Sequence, residues 1–202
     1  MLDAVSETPK LTDDDLLAQG EDTRDELIHG AIVPKTFGSF IHQYAEAGTG
    51  GWAMRRFSRK PSDRWPGGWV ILSEIHVVYA RDEVFIHDLA GWRRDRLDPS
   101  LTLGNRQPRD WARLRPDWAC ELLSPGHEAR DRVDKFRVLE QSGVPHYWMV
   151  DPDRRKLFIY QLGAAGYELH RTATSGEVLR APPFEAVELR VDVLFGDEDD
   201  VD

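Results

Sequence analysis

The sequence predicts a mixed α/β fold in one domain, because strand and helix patterns alternate along most of its 202 residues. Residues 115–150 have the pattern of a strand, a Ser-Pro-Gly turn, an amphipathic helix, a Gly-Val-Pro stop and a second strand. Two further apolar runs, Trp69–Tyr79 and Val84–Leu89, are separated by the polar turn 81–83. We therefore expect a central mixed sheet that is flanked by helices.

The first half of the chain predicts a short helix, a hairpin, a second helix and a basic loop or edge strand, in this order: Leu11–Gln19, Glu26–Val33, Pro34–Ala47 and Arg55–Pro66. Thr12 is the expected N-cap of the short helix. The hairpin is expected to turn at Gly30. Three glycines, Gly48, Gly50 and Gly51, are expected to end the second helix.

The second half predicts five strands, the last two weaker than the others: Trp118–Leu123, His146–Val150, Lys156–Leu162, Tyr167–Thr172 and Phe184–Val193. A helix follows the first of these strands and stops at Gly143, with Pro145 just beyond. Before it, Arg93–Arg115 is a long polar segment with seven arginines. A connection of this length indicates either a functional loop or partial disorder.

The charge of the chain is unevenly distributed. The net charge is −10, but residues 1–30 hold nine acids against two bases, and the end from Asp197 holds five acids and no base. The body between them is close to neutral. Acidic termini are commonly solvated, so we expect a disordered lead at 1–10, a single domain at 11–196 and an acidic tail at 197–202.

Two absences in the sequence limit its class. Cys120 is the only cysteine, which excludes an intrachain disulfide and a zinc site built from several cysteines. The sequence has no secretory signal and no apolar run long enough to cross a membrane. We expect a cytoplasmic protein that is not exported and does not bind a membrane.

Glu121 is the one charged residue in an otherwise apolar strand. Such a strand is expected to be central and buried. A carboxylate there must be protonated, paired or bound to a metal, because an unpaired charge is too costly to bury. A structural ion pair with an arginine such as Arg132 and a metal-ligand role both remain open.

Two more carboxylates, Asp88 and Glu74, lie in the apolar runs 84–89 and 69–79. If their strands neighbour that of Glu121, the three carboxylates converge, and hard oxygen donors suit Mg²⁺ or Mn²⁺. The alternatives are a turn role for Asp88 and a cross-sheet pair of Glu74 with His76.

Lys135 lies one helical turn after Asp131 in the predicted helix. Such an i,i+4 pair is ordinarily a solvated surface pair. Lys135 also flanks the apolar arc of the helix, so its ammonium can instead reach back over the preceding strand. There it could orient a water or stabilise charge that develops on a phosphate.

Several segments together resemble a known family. The runs PDWACELLSP, DRVDKF and SGVPHYWMVDP, with GGWVILSEIHV, HDLAGWRR and ELIHG, are similar to the Uma-type "putative restriction endonuclease" family of the PD-(D/E)XK nuclease superfamily. The resemblance covers roughly residues 11 to 165. It rests on the order and spacing of the motifs.

The resemblance implies an αβββαβ core that hydrolyses DNA phosphodiester bonds with Mg²⁺ or Mn²⁺. Asp88 matches the first acidic ligand of the family and Glu121 the second, and Glu74 matches a further acidic position. Leu123 occupies the usual lysine position on the strand, so Lys135 on the following helix matches the catalytic lysine. The implied site is therefore Asp88, Glu121 and Lys135, with Glu74 as an additional metal ligand.

One residue departs from the family pattern: His87 precedes Asp88 where the family usually has proline. The phosphate contacts are expected from the arginine-rich segments, chiefly the set Arg93, Arg94, Arg96 and Arg115. Trp65 and Trp92 are either base-stacking residues or core residues. We also expect a homodimer, because cutting both strands of a duplex needs two sites.

Two other functions compete with a nuclease. One is a catalytically inactive nuclease-fold protein that binds DNA or mediates oligomer contacts, in which the carboxylates and Lys135 form a buried structural network. The other is a glycosidase that uses Glu74 and Glu121 as its carboxylate pair. No sugar-binding pattern in the sequence supports the glycosidase.

Overall fold

A computed structural model describes residues 9–20, 22–36, 38–97, 111–124 and 130–197, with only the backbone described for 130–132. The predicted lead and tail lie mostly outside these residues. The same applies to residues 98–110 of the arginine-rich segment, which include Arg106 and Arg109.

The described residues form three α-helices and ten strands, which are, in chain order, α1 (Asp13–Leu17), β1 (Asp25–Ile28), β2 (Ala31–Pro34), α2 (Phe40–Phe57), β3 (Trp69–Ala80), β4 (Glu83–Arg93), β5 (Trp118–Leu122), α3 (Arg130–Gln141), β6 (His146–Asp151), β7 (Lys156–Gly163), β8 (Gly166–Thr174), β9 (Val178–Leu179) and β10 (Leu189–Arg190). Short 3-10 turns lie at Arg94–Arg96 and Val191–Phe195. The succession α2-β3-β4-β5-α3-β6 is the expected αβββαβ core. The mixed α/β prediction is confirmed.

The main sheet has the strand order β2-β1-β4-β5-β6-β7-β8, and β3 pairs with β4 outside that path. Among the described strands, only β5 and β6 pair with each other in parallel, as expected for strands joined through a helix. Strand β3 covers one edge of β4 along its length. The other edge is shared: β1 pairs at Val84 and β5 pairs from Leu89 to Gly91. Within the part of the chain that the structure describes, residues 85–88 therefore have no strand partner on that side.

Apolar side chains form a layer on each face of the sheet. On the face covered by α2, the buried rings include Trp52, Trp118, Trp148 and Phe184. On the face covered by α3, the buried residues include Phe85, Leu139 and Tyr147. Trp65 and Trp92 are only 8% and 3% exposed, which supports the core interpretation of these tryptophans over base stacking.

Helix α2 is longer than the sequence predicted. Ser39 caps its first turn, and the helix continues through Gly48, Gly50 and Gly51 to Phe57. The glycines have a packing role: a Cβ at Gly48 would lie 2.6 Å from the carbonyl oxygen of Val193. The absence of a side chain lets the turn 191–195 pack against the helix, so these glycines do not act as a stop.

Two strand predictions also change. Strand β4 continues past Leu89 to Arg93, so Asp88 lies within the strand and has no turn role. Most of the predicted strand Phe184–Val193 is not a strand, because the chain turns at Phe184 and pairs only at Leu189–Arg190. The turn places the Phe184 ring inside the aromatic cluster. In the described residues, no helix has the length and apolar character to cross a bilayer.

Gly48 and Gly51 lie in the same helix and provide a matched pair for a stability test. Gly51→Ala adds a methyl group where nothing lies within 4 Å, so we expect it to stabilise the protein by about 0.5–1 kcal/mol through helix propensity. Gly48→Ala gains the same propensity but clashes with a backbone carbonyl, so we expect a net loss of about 1–3 kcal/mol. Urea unfolding of both variants measures the difference, and equal effects would contradict this role of Gly48.

Candidate active site

A cavity of about 470 Å³ opens where β1 and β5 diverge along β4. Its walls come from β1, β2, α2, β3, β4, β5, α3 and β6, and eight of the side chains that line it are charged. Five are carboxylates, Glu26, Glu46, Glu74, Asp88 and Glu121, and three are cations, Arg24, Lys35 and Lys135. The formal charge of this lining is therefore −2.

Side chains of the cavity satisfy the backbone groups that the diverging strands leave without partners. The Ile86 N–H donates to Glu26 Oε1 at 2.8 Å, and the Ile86 carbonyl accepts from Lys35 Nζ at 2.9 Å. The Leu122 N–H donates to Asp88 Oδ2 at 2.7 Å. Buried backbone groups need such partners, so these charged residues also hold the opening of the sheet in place.

Three carboxylates, those of Glu46, Glu74 and Asp88, form the closest group of acidic oxygens. One oxygen of each lies within 4.8 Å of the others. Burial and the negative charges of Asp88 and Glu74 raise the pKa of Glu46 to about 7. The site therefore has a strong electrostatic preference for an added cation or a retained proton.

Glu74 occupies a backbone conformation that is rare for a residue with a side chain. Its φ is +49° in the middle of β3, and such outliers cluster at functional sites. Its carboxylate lies 2.8 Å from Arg24 Nη2 and 3.6 Å from Lys35 Nζ. The alternative pairing with His76 is wrong, because the His76 ring instead stacks on Trp111 at 4.6 Å between centroids.

Glu121 lies outside the three-carboxylate group and has internal partners on both oxygens. His87 Nδ1 donates to its Oε1 at 2.5 Å, and Lys135 Nζ lies 3.4 Å from its Oε2. The other ring nitrogen of His87 is 2.7 Å from the Tyr79 hydroxyl. Burial opposes ionisation of Glu121, but Lys135 and the His87 hydrogen bond outweigh it and lower its pKa to about 2. Glu121 is therefore a stable buried carboxylate.

Lys135 is buried, with 9% of its side chain exposed, so it is not half of a solvated surface pair. Its ammonium lies 2.7 Å from Glu26 Oε1 in addition to Glu121. Burial alone would lower the pKa of Lys135, but these two carboxylates raise it above the ordinary value. The helix thus presents a permanent positive charge to the floor of the cavity.

The four residues expected to form the site all line this one cavity: Asp88, Glu121, Lys135 and Glu74. The expected arginines do not. Arg96 pairs with Asp117, and the Arg93 guanidinium lies over the Trp69 ring. Arg94 and Arg115 are also absent from the cavity wall. The side chains of Asp131 and Arg132 lie outside the described residues.

Five residues of the site were not identified from the sequence: Arg24, Glu26, Lys35, Glu46 and His87. Glu26 carried a usable signal, because it is a carboxylate in an apolar strand, as Glu121 is. Glu46 carried no such signal, because the sequence does not show that the helix face it shares with His42 is turned inward. Lys35 follows the hairpin without any pattern that marks it. For His87 the sequence showed only that it replaces the proline that is usual in the family. A proline could make neither of the two ring contacts that His87 makes.

Comparison with known proteins gives the family. A family model described as "Uma2: Putative restriction endonuclease" matches residues 12–193. The chain belongs to the Uma2 family. A crystal structure described as a putative nuclease belonging to DUF820, from Anabaena variabilis, is similar with a TM-score of 0.71 and 18% identity, covering 92% of this chain and 97% of that one. No curated protein matches the chain.

The positive φ of Glu74 in this Uma2 chain predicts an unusual order of stabilities. Glu74→Gly and Glu74→Ala remove the same carboxylate, but only alanine keeps a Cβ in the left-handed region. We expect the glycine variant to be more stable by about 1 kcal/mol in urea unfolding. At the adjacent strand residue Ser73 the same two substitutions should give the opposite order. A more stable alanine variant at residue 74 would contradict strain there.

The raised pKa of Glu46 predicts how the stability of this Uma2 protein depends on pH. The folded state holds the Glu46 proton more tightly than the unfolded chain, so this contribution is complete below pH 4.5 and is lost as the pH rises through about 7. With a chelator present, Glu46→Gln should therefore stabilise the protein at pH 8 by about 1 kcal/mol after allowance for solvent screening, and by less at pH 5. Urea unfolding at both pH values measures this, with the exposed Glu168→Gln as control. An equal gain at both values would contradict the prediction.

Proposed function

We propose that this protein is a divalent-metal-dependent endonuclease that hydrolyses phosphodiester bonds of DNA. The observation that carries the proposal is the group of three carboxylates, Glu46, Glu74 and Asp88, in a cavity that also presents the buried ammonium of Lys135. Membership of a family described as restriction endonucleases supports the same reaction.

The donor set fits Mg²⁺ or Mn²⁺. All three groups are carboxylates, the hard oxygen ligands that these ions prefer. The formal charge of −2 in the cavity lining is the charge that one divalent cation neutralises. We therefore assign the metal to Glu46, Glu74 and Asp88. When bound, such an ion polarises a phosphate oxygen and makes a coordinated water more acidic.

We assign Lys135 to the reacting phosphate or to the attacking water. Its ammonium is fixed by Glu26 and Glu121, so it need not reorganise when negative charge develops nearby. Its position on the helix α3, with Leu123 at the strand position, agrees with the arrangement that the resemblance implies. The role of Lys135 is therefore to donate hydrogen bonds from a preorganised positive charge.

Glu121 is assigned a positioning role in place of the expected role as the second acidic metal ligand. Both of its oxygens already have partners, His87 and Lys135, and it lies outside the three-carboxylate group. Its negative charge keeps Lys135 protonated and aimed across the cavity. His87 in turn fixes the orientation of the Glu121 carboxylate.

DNA as the substrate, the homodimer and the cytoplasmic location are part of this proposal. We propose the exposed Arg93 and Arg94 as phosphate contacts outside the cavity. They lie at the far end of β4, about 17 Å along the strand from Asp88 at the usual rise per residue. Two copies of the chain would supply one site for each strand of a duplex.

A second function is favoured by a specific observation. Every carboxylate oxygen of Asp88 and Glu121 already lies near an internal partner, namely Lys35, the Leu122 N–H, His87 and Lys135. A network that is complete without a metal can serve stability alone. The second candidate is therefore a catalytically inactive nuclease-fold protein that binds DNA or mediates oligomer contacts.

Metal dependence and two substitutions separate the two functions. We expect cleavage of plasmid DNA in Mg²⁺ or Mn²⁺ and none in a chelator. Asp88→Asn should lose both metal binding in calorimetry and cleavage. Lys135→Met should retain metal binding and lose cleavage by at least about 100-fold, because it removes a charge that stabilises the transition state and leaves Glu46, Glu74 and Asp88 in place.

The exposed Asp153→Asn serves as the control and should leave both properties unchanged. Melting temperatures confirm that each variant is folded. Absence of both metal binding and cleavage in the unaltered protein would favour the inactive nuclease-fold protein.

A further inference from the structure

Lys35 occupies an unusual place in the cavity. It follows β2, and its side chain reaches into the gap between β1 and β5 with only 12% of its surface exposed. Its ammonium lies 2.6 Å from Asp88 Oδ1, 3.6 Å from Glu74 Oε1 and 2.9 Å from the carbonyl oxygen of Ile86. Three oxygens thus surround one nitrogen on the side where the three carboxylates meet.

An ammonium and a divalent ion cannot use these oxygens in the same way. The oxygen–nitrogen distances at Lys35 are 2.6 to 3.6 Å, whereas Mg²⁺ takes oxygens at about 2.0–2.1 Å. A metal on Asp88 would also lie within a few ångströms of the Lys35 charge, where two positive charges repel strongly in a partly buried site. Binding of the metal at Asp88 and Glu74 therefore requires the Lys35 ammonium to withdraw from them.

Lys35 lies within ion-pair distance of two of the three carboxylates, Asp88 and Glu74. Lys135 instead lies beside Glu26 and Glu121, which are outside the three-carboxylate group. The position of the Lys35 ammonium therefore conflicts with a metal at Asp88 and Glu74.

We propose that Lys35 is a built-in counter-cation that holds the carboxylate site together without metal and competes directly with the divalent ion. The inference rests on the proposed metal site at Glu46, Glu74 and Asp88. It assigns to Lys35 control over the metal affinity: the protein keeps its site assembled when metal is scarce, and the metal must displace the ammonium to bind.

The test is a titration of Mn²⁺ alone, by calorimetry, into the full-length protein and into Lys35→Met. Methionine keeps the length and apolar stem of lysine but removes the charge. We expect Lys35→Met to bind Mn²⁺ at least about tenfold more tightly. Lys35→Arg, which retains the positive charge, should bind no more tightly than the unaltered protein. Lys60→Met, which removes an exposed lysine outside the cavity, controls for net charge and should leave the affinity unchanged.

Thermal unfolding gives a second readout that remains informative if the variant folds poorly. In a chelator, Lys35→Met should melt below the unaltered protein, because Asp88 and the Ile86 carbonyl lose a buried partner. Added Mn²⁺ should raise its melting temperature more than that of the unaltered protein. If Lys35→Met folds only when Mn²⁺ is present, this also supports the inference.

The outcomes separate this inference from the proposed function. Equal or weaker Mn²⁺ binding by Lys35→Met, beside measurable binding by the unaltered protein, overturns the role of Lys35 and leaves the metal site standing. Absence of binding in both proteins overturns the metal site and the inference with it. Binding by Lys35→Met alone supports both.

Discussion

The central strand β4 shares one edge between two neighbours, and the cavity exists because these neighbours diverge. Strand β1 leaves after Val84 and β5 begins to pair only at Leu89. A gap of this kind in a sheet leaves buried N–H and C=O groups that must find other partners. Glu26, Lys35 and Asp88 provide them. The same charged side chains therefore keep the two strands apart and supply the charged groups of the cavity. Burial of these side chains fits a structural role and a functional role equally well.

The charges of the opening do not balance. Around Lys135, two carboxylates share one ammonium; around Lys35 and Arg24, three carboxylates share two cations. A network selected for stability alone approaches neutrality, because each uncompensated buried charge is costly. Here burial and the negative charges of Asp88 and Glu74 raise the pKa of Glu46 to about 7. An uncompensated charge in a partly buried region is typical of functional sites.

The sequence allowed the order of the elements to be predicted better than their ends. Apolar runs identified β3, β4 and β5, and an apolar arc at helical spacing identified α3. Periodicity failed at the glycines of α2, because a run of glycines has the composition of a helix stop. Only the turn at residues 191–195 shows that these glycines allow close packing. Asp88 was likewise predicted near a strand end, because the Ala90-Gly91 pair that continues β4 carries no strand signal without its neighbour β5.

The site residues, like the helices and strands, were predictable only where a local sequence pattern marked them. Asp88, Glu121, Glu74 and Lys135 were identifiable because each is a charge in an apolar run or matches a family motif, and all four line one cavity. Lys35 and Glu46 were not, since their importance comes from distant strands that bring Asp88 and Glu74 to them. The expectation that Arg96 and Arg115 contact phosphate used composition alone. Composition does not reveal that Asp117 already binds Arg96.

The ammonium of Lys135 reaches Glu121 from a helix and not from the strand that carries Glu121. In this chain the strand position two residues after Glu121 is Leu123, whose side chain packs with the apolar cluster beneath α3. The ammonium arrives instead from α3, one layer away, yet it still contacts the carboxylate of Glu121. The fold thus places a positive charge beside a buried carboxylate although the strand itself carries no lysine there. Glu26 makes this possible, because its second ion pair holds the longer reach of Lys135 in one conformation.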